Sequence, residues 1–462
     1  MDILNFIDGD FAKPVQNASF IQKRPFNDNV IQVANSSALD LVKAIQGSHT
    51  AFNTWKDSSI EDRIDLVDKI ADYLETHKNR FAESEAWDQG LNLQFSLQAN
   101  IEAALKILSS QKAELQKGIP DNYSVLPVGV VGVVLSWNLS TRLFVEKVLP
   151  AVLAGNSVIV KISSYSPVTA KLWGELFRAI GLTSGLVQLL HSQDAAFKKL
   201  FITHPGIKAL LVTGSLENTS EIIKTVAQMT TQQFKKLQIH SGSKNTAAAL
   251  TEPNESEMNE ILNSFLLGQG QLAWNSSRLF ILEKHEQQWS DFVAHKLQTL
   301  KPSIDIHDSS PWTPLMKTKY VDQFASLMVQ AKSDQAKIIS ADANLPSNKY
   351  VKPFFTKDMS NCSVLQQDQV MGPAFILSTV KYAFDIPKYS NVSYYGHSAS
   401  VWTEVGKNQK TIHQLDVGLV SLNKWSVFQY SAIEGVKQSS FGNMNSHIFG
   451  DFYKNVKKLA GS

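Results

Sequence analysis

The feature that most constrains this chain is an alternation of short apolar strands with helical stretches, beginning near residue 128. Val128–Leu135 is an apolar, mostly β-branched run, as expected of a strand buried on both faces. A helical stretch over Leu143–Leu153 follows, then a strand at Ser157–Lys161, a helix at about Pro167–Ile180 and a strand at Leu186–Leu190. A short helix at Ala195–Ile202, a strand at Ala209–Thr213, a helix at about Asn218–Met229 and a strand at Lys236–His240 complete the series. Strands and helices alternating at roughly 25-residue spacing indicate a doubly wound parallel sheet. Such sheets bind ligands beyond the carboxyl ends of their strands. Those ends carry Ser136-Trp137-Asn138, Lys161 to Ser164, Thr213-Gly214-Ser215 and His240-Ser241-Gly242, all polar or small apart from Trp137 and Ile162.

Around this core the chain divides further. The first third reads as mostly helical. Leu41, Val42, Ile45, Phe52 and Trp55 share one face, and a capping box at Ser58-x-x-Glu61 opens a helix carrying Ile60, Ile64, Val67, Ile70, Ala71 and Leu74. A second helix–strand alternation from about Asn254 to Asn423 predicts a second α/β domain. The 462 residues fit two to three domains at a typical size of ~150 residues each.

Composition narrows the function classes. Lys plus Arg is 44 against 42 Asp plus Glu, a net charge of +2, which gives no nucleic-acid or anionic-membrane signature. The one cysteine, Cys362, excludes an internal disulfide framework and confines any thiol chemistry to itself. It is expected to be buried or in a loop. The first eight residues have neither a basic nor an apolar signal region, and no apolar stretch approaches the ~20 residues of a membrane span. A soluble, cytoplasmic protein is expected. No GxGxxG, P-loop or HExxH motif occurs.

The strand-end segments, in their order, resemble the NAD(P)-dependent aldehyde dehydrogenase superfamily over nearly the whole chain. Asn5–Gly9 looks like that family's opening hairpin, and Leu126–Gly132 leading to Trp137-Asn138 like its first nucleotide-binding strand. Leu149-Pro150-Ala151, Ala154–Val158 with Lys161, Thr213-Gly214-Ser215, Gly270-Gln271 with Arg278, Gly372-Pro373 and Phe441-Gly442 continue the match. Trp87–Gly90, Trp137–Ser140 and Leu422–Trp425 are closest in flavour to muconate- and succinate-semialdehyde types. The resemblance implies an α/β fold. A Rossmann-like cofactor domain would span 1–117 and 128–236, and a catalytic-type domain 237–423. An oligomerisation β-arm would come from 118–127 and 440–462, in a homodimer or homotetramer.

It also implies roles that this sequence fills only in part. In the family a Cys thiolate attacks the aldehyde carbon, and the adduct expels hydride to the nicotinamide. A Glu is the general base, and a side-chain amide supports the oxyanion. Asn138 keeps the amide position, but Ala273 occupies the nucleophile position and His240 the base position. A methyl group cannot attack a carbonyl. Trp274 beside it either plugs a substrate tunnel or packs in the core. Ser276 and Ser277 offer hydroxyls, but they sit on the way into a strand at Leu279–Leu282. On the cofactor side, Trp137, Lys161, Gly214 and Ser215 are kept. Ser164 stands where NAD-preferring members carry Glu, and Gln369 where the family grips the nicotinamide ribose with Glu. Thr219 and Ser243 replace family glycines that allow close backbone approach. NADP or NAD binding is therefore expected to be weak or lost. Three functions stay open: a pseudoenzyme binding a small molecule or a partner, an NAD(P)-dependent dehydrogenase with an unrecognised route, and a structural subunit beside an active homologue.

Overall fold

The computed structural model describes residues 1–117, 123–229, 234–357, 359–430, 435–442 and 452–458. The chain forms two compact units. The first comprises Met1–Gln89, Ser96–His240 and Phe441–Ser462, and the second Gly90–Phe95 and Ser241–Ser440. Among the described residues, no helix is long and apolar enough to cross a membrane.

The first unit is organised by an eight-stranded sheet. Its strands are β1 (Asn5–Ile7), β2 (Asp10–Ala12), β3 (Val130–Val134), β4 (Ser157–Lys161), β5 (Val187–Leu190), β6 (Ile207–Thr213), β7 (Lys236–His240) and an edge strand, Ser440–Gly442. The spatial order is edge strand, β7, β6, β3, β4, β5, β1, β2. Strands β3 to β7 pair in parallel, so their carboxyl ends share one edge. They are separated by α3 (Ser140–Lys147) and α4 (Leu149–Leu153), then α5 (Val168–Ala179), α6 (Ala195–Thr203) and α7 (Leu216–Ala227). Two longer helices precede them, α1 (Ala38–Trp55) and α2 (Ile60–Gln89).

Leu41, Ala44 and Ile45 of α1 pack with Val130, Ile159, Leu190, Leu210, Val212 and Ile239 from the sheet, all nearly inaccessible. Burying each large aliphatic side chain contributes about 1.5–3 kcal/mol before entropy is counted. The continuous apolar runs therefore become central strands covered on both faces.

Ahead of α1 the chain keeps the opening hairpin expected at Asn5–Gly9 but is otherwise less helical than expected. Five short strands lie within Asp2–Ala34, among them the β1–β2 hairpin turned at Asp8-Gly9 and a three-stranded sheet of Asp2–Ile3, Val30–Ala34 and Ser19–Lys23. Alternation such as Ser-Phe-Ile-Gln-Lys is too short to dominate a helical window. The capping box that opens α2 also shifts by one residue. Ser59 and Asp62 exchange the reciprocal hydrogen bonds, while Ser58 Oγ accepts from Arg63 Nε at 3.0 Å.

The second unit carries a seven-stranded sheet of β8 (Asn245–Ala249), β9 (Ser276–Leu282), β10 (Lys337–Ser340), β11 (Phe354–Lys357), β12 (Ala374–Val380), β13 (Ser398–Trp402) and β14 (Leu419–Leu422). The order is β10-β11-β12-β9-β8-β13-β14, parallel except for β10. Tyr123–Pro127 pairs antiparallel with Lys454–Lys458 as a two-stranded ribbon, while 118–122 lie outside the described residues. The first unit continues to His240 because β7 runs that far, four residues beyond the boundary expected at 236.

Candidate active site

In the first unit, the expected residues converge on the carboxyl edge of neighbouring strands. Val134 at the end of β3 is in register with Lys161 of β4, and Thr213 of β6 with His240 of β7. Ser136 donates its backbone N–H to Thr213 Oγ1 at 2.8 Å, and Gly214 donates to the His240 carbonyl at 3.1 Å. The Asn138 loop, the turn at Gly214 and the end of β7 at His240 are thus joined by direct hydrogen bonds.

The Asn138 loop is held from behind. Ser136 Oγ donates to Asn138 Oδ1 at 2.9 Å, and Ser140 Oγ to the Trp137 carbonyl at 2.7 Å. Leu139 adopts a left-handed conformation (φ 48°), uncommon for a branched side chain, and its N–H donates to Gln89 Oε1 at 2.7 Å. Gln89 in turn donates to the Glu85 carboxylate at 3.3 Å. Glu85 is fully buried and also accepts from Thr141 Oγ1 at 2.8 Å, Thr169 Oγ1 at 2.7 Å and Asn100 Nδ2. Burial pushes its carboxyl above the usual range against the pull of those donors. Asn100 lies in a π-helical turn, Ser96–Glu102, a local departure that often marks functional positions. Beside this cluster, burial raises Asp88 to about 7, although Arg24 faces it at 3.3 Å and the Val168 N–H donates to it at 3.0 Å. Sequence reasoning missed Glu85, Gln89 and Asn100, which lie 38 to 53 residues from the loop they hold.

Lys161 ends β4 half-buried, with its ammonium lowered to about 8 by burial and by Lys198. His191, fully buried just past β5, is lowered to about 3 by burial and then by Lys161. Ser164 is half-buried in the turn after β4. Ser215 caps α7, its hydroxyl accepting from the Asn218 N–H at 3.4 Å. Thr219 is buried and folds back, donating to the Ser215 carbonyl at 3.0 Å, with its methyl 3.8 Å from where a Cβ on Gly214 would lie. The helix start that could meet a diphosphate therefore has a methyl packed beside it.

In the second unit, the loop around Ala273 is built as tightly. Gly268, Gln269 and Gly270 are all left-handed, and Gln269 is held by Nε2 donating to Thr313 Oγ1 at 2.7 Å and the Pro311 carbonyl at 2.6 Å. A Cβ on Gly270 would collide with the Gly372 carbonyl. Asn275 accepts from the Leu272 N–H at 2.7 Å and donates to the carbonyls of Ser264 and Leu267. Asn245 Nδ2 donates to the Ala273 carbonyl at 2.7 Å.

Trp274 is buried, its carbonyl accepts from Trp425 Nε1 at 2.8 Å, and its ring meets His397 edge-on at 6.0 Å. The Gln369 carboxamide lies directly over Gly242. Ser276 and Ser277 lie within β9 rather than ahead of it, and Ser277 Oγ has no hydrogen-bond partner among the described residues, so it has no activating base. Cys362 is exposed in a turn. No group of His, Cys, Asp or Glu among the described residues could hold a metal.

The aldehyde dehydrogenase family model matches residues 13–459. A putative aldehyde dehydrogenase of Bacillus subtilis is 24% identical over 98% of this chain and 94% of its own length. The 2-aminomuconic semialdehyde dehydrogenase of Homo sapiens is 26% identical over 98% and 97%. The NAD+ complex of an aldehyde dehydrogenase from Bacillus cereus superposes with a TM-score of 0.90 at 23% identity, covering 99% of this chain and 96% of that one. An indole-3-acetaldehyde dehydrogenase of P. syringae, solved as a Cys-to-Ala mutant with NAD+ and IAA, gives 0.88 at 22% identity over 99% and 96%. With a family match across nearly its full length and the same α/β architecture, the chain belongs to the aldehyde dehydrogenase family.

Proposed function

We propose that this chain is a pseudoenzyme of its family, one that binds a nucleotide or a small carbonyl ligand without oxidising an aldehyde. The observation that carries this reading is Ala273. It stands on a loop braced by Asn245 and Asn275, yet its methyl group offers no nucleophile. His240 and Gln369 alter two further positions that the family resemblance makes part of the reaction.

Binding is favoured over a purely structural role because the first unit keeps Lys161, the capped start of α7 and the buried cluster that steadies Asn138. An orphan N–H group at a helix start suits a diphosphate. The Cys-to-Ala mutant of the P. syringae enzyme carries both NAD+ and IAA, which supports ligand binding on this fold without that cysteine. Ser164 places no carboxylate against a 2′-phosphate, so any preference should run to NADP(H). Ser243 and Gln369 should weaken the nicotinamide end most, while Thr219 crowds the diphosphate end of α7. The Tyr123–Pro127/Lys454–Lys458 ribbon supports a homodimer or homotetramer through a β-arm.

Thermal-shift and calorimetric titration with NAD, NADH, NADP and NADPH tests this reading. A ligand that binds only the folded state stabilises it according to its concentration over Kd. Weak stabilisation, larger for the phosphorylated forms, is expected. Tight NAD binding would restore the dehydrogenase reading, and no response to any of the four would favour a structural subunit.

A further inference from the structure

We propose that Glu85 keeps its proton in the folded chain and relays that bond through Thr169, Ser166 and Ser140 to the Trp137 carbonyl, as a positioning residue for the Asn138 loop. The inference rests on the proposed function only for its consequence, that ligand affinity follows the loop.

Two amides fix the direction of the bonds on one carboxyl oxygen. Gln89 Oε1 accepts from the Leu139 N–H at 2.7 Å, so its Nε2 faces the cluster, 3.3 Å from Glu85 Oε2. Asn100 Oδ1 accepts from the Arg142 N–H at 2.8 Å, so its Nδ2 donates to the same oxygen. The Thr141 N–H is a third donor there, at 3.2 Å. Three N–H donors leave Oε2 no room for a proton, so a proton on this carboxyl sits on Oε1. Thr141 Oγ1 lies 2.8 Å from Oε1 and Thr169 Oγ1 2.7 Å. From Thr169 the contacts continue to Ser166 Oγ at 3.1 Å, from there to Ser140 Oγ at 2.9 Å, and on to the Trp137 carbonyl at 2.7 Å. Glu85, Thr169, Ser166 and Ser140 are all buried.

A hydroxyl has one hydrogen to give, and counting hydrogens decides the state. With Glu85 ionised, Thr169 must donate to Oε1 and Ser166 to Thr169. The Ser140 hydrogen then faces two acceptors, Ser166 Oγ and the Trp137 carbonyl, and serves one of them. With the proton on Oε1 the relay runs the other way. Glu85 donates to Thr169, Thr169 to Ser166, Ser166 to Ser140, and Ser140 to the Trp137 carbonyl. Every contact in the relay then holds a hydrogen, and a buried polar contact without one is costly. Burial acts in the same direction, raising the Glu85 carboxyl. Of the charged groups around it, Asp88 on the same helix is paired with Arg24, and Arg142 of α3 turns its guanidinium to Glu146 at 2.7 Å. The π-helical turn and α5 face it with Asn100 and Thr169. The bond on the Trp137 carbonyl is therefore present at low pH and is lost as pH rises through the raised carboxyl range.

Infrared difference spectroscopy of the full chain against Glu85→Gln tests the proton, and hydrogen exchange across residues 136–140 tests the relay. At about pH 6, above the ordinary glutamate range, a carboxylic C=O band should be present in the unmodified protein and absent in the variant, with any Asp88 band cancelling. Glu85→Gln keeps an oxygen for the three N–H donors and turns an N–H to Thr169, so exchange should stay within about twofold of the unmodified chain. Ser166→Ala and Glu85→Leu should each speed it about tenfold, and Ser166→Ala should weaken NADP in a calorimetric titration. Circular dichroism should confirm that each variant is folded. No carboxylic band, unchanged exchange in Ser166→Ala, or Glu85→Gln as damaging as Glu85→Leu would overturn the relay. Unchanged NADP affinity in a variant whose loop exchanges faster would overturn the positioning role. Because spectrum and exchange need no ligand, a chain that binds no dinucleotide would count against the proposed function alone.

Discussion

The Asn138 loop of the first unit and the Ala273 loop of the second are both braced by hydrogen bonds but present different chemistry. Behind Asn138 stand a buried carboxylate, an amide and several hydroxyls, each with a partner. Around Ala273 stand two asparagines, a tryptophan N–H and three consecutive left-handed residues. The first loop presents a carboxamide and the second a methyl. Backbone strain and buried polar groups cost stability unless a role retains them.

The comparison can be broken first at Gly270. Gly270→Ala adds a Cβ against the Gly372 carbonyl at a φ of 65° and should cost about 3 kcal/mol or more, seen as a large drop in Tm. A small change would mean that the Ala273 loop is looser than described.

The next effect is a pH dependence in the first unit. Burial pushes the Asp88 carboxyl up to about 7 in the fold against an ordinary 3.8, so the native state holds a proton that the unfolded chain releases. The sign follows: this contribution is present at low pH, is lost as pH rises from about 4 to about 7, and is flat beyond. Asp88→Asn should remove that slope from the plot of Tm against pH. Superimposable profiles for the two proteins would contradict the assignment.

Gln89→Leu should follow, at about 1–3 kcal/mol, because the buried Leu139 N–H loses its acceptor. Hydrogen exchange at Leu139 should accelerate in this variant; unchanged exchange would separate Gln89 from the Asn138 loop.

The smallest effect is a gain. Ala273→Cys alone should restore little aldehyde oxidation, and adding His240→Glu should raise kcat/KM by at least about tenfold over the single variant. Groups that act together are not additive. Equal rates for the single and double variants would remove His240 from the account.

Sequence alone revealed the parallel sheet because its central strands are rich in Val, Ile and Leu and their polar ends fall on one edge. Lys236–His240 and Ser157–Lys161 agree to the residue. Within Asp2–Ala34 the hairpin at Asn5–Gly9 was legible through the family resemblance, but the remaining short strands were not, since two to five residues carry too little periodicity. Ser58-Glu61 and Ser59-Asp62 both fit a capping box, and only geometry chooses the second. The polar cluster at Glu85, Gln89 and Asn100 was hidden for a different reason. On helical faces such residues read as solvent-facing, and their burial depends on partners distant in sequence. Trp274 left two readings open. Its burial and the hydrogen bond from Trp425 to its carbonyl place it in the second unit's packing.

The central claim is that Ala273 leaves the chain without covalent aldehyde chemistry. Steady-state oxidation of aliphatic, aromatic and semialdehyde substrates by the unmodified protein, with NAD or NADP as acceptor, tests it most directly. The account predicts no turnover above the background of a mock purification. Repeated turnover in proportion to protein concentration, unchanged on further purification, would contradict it.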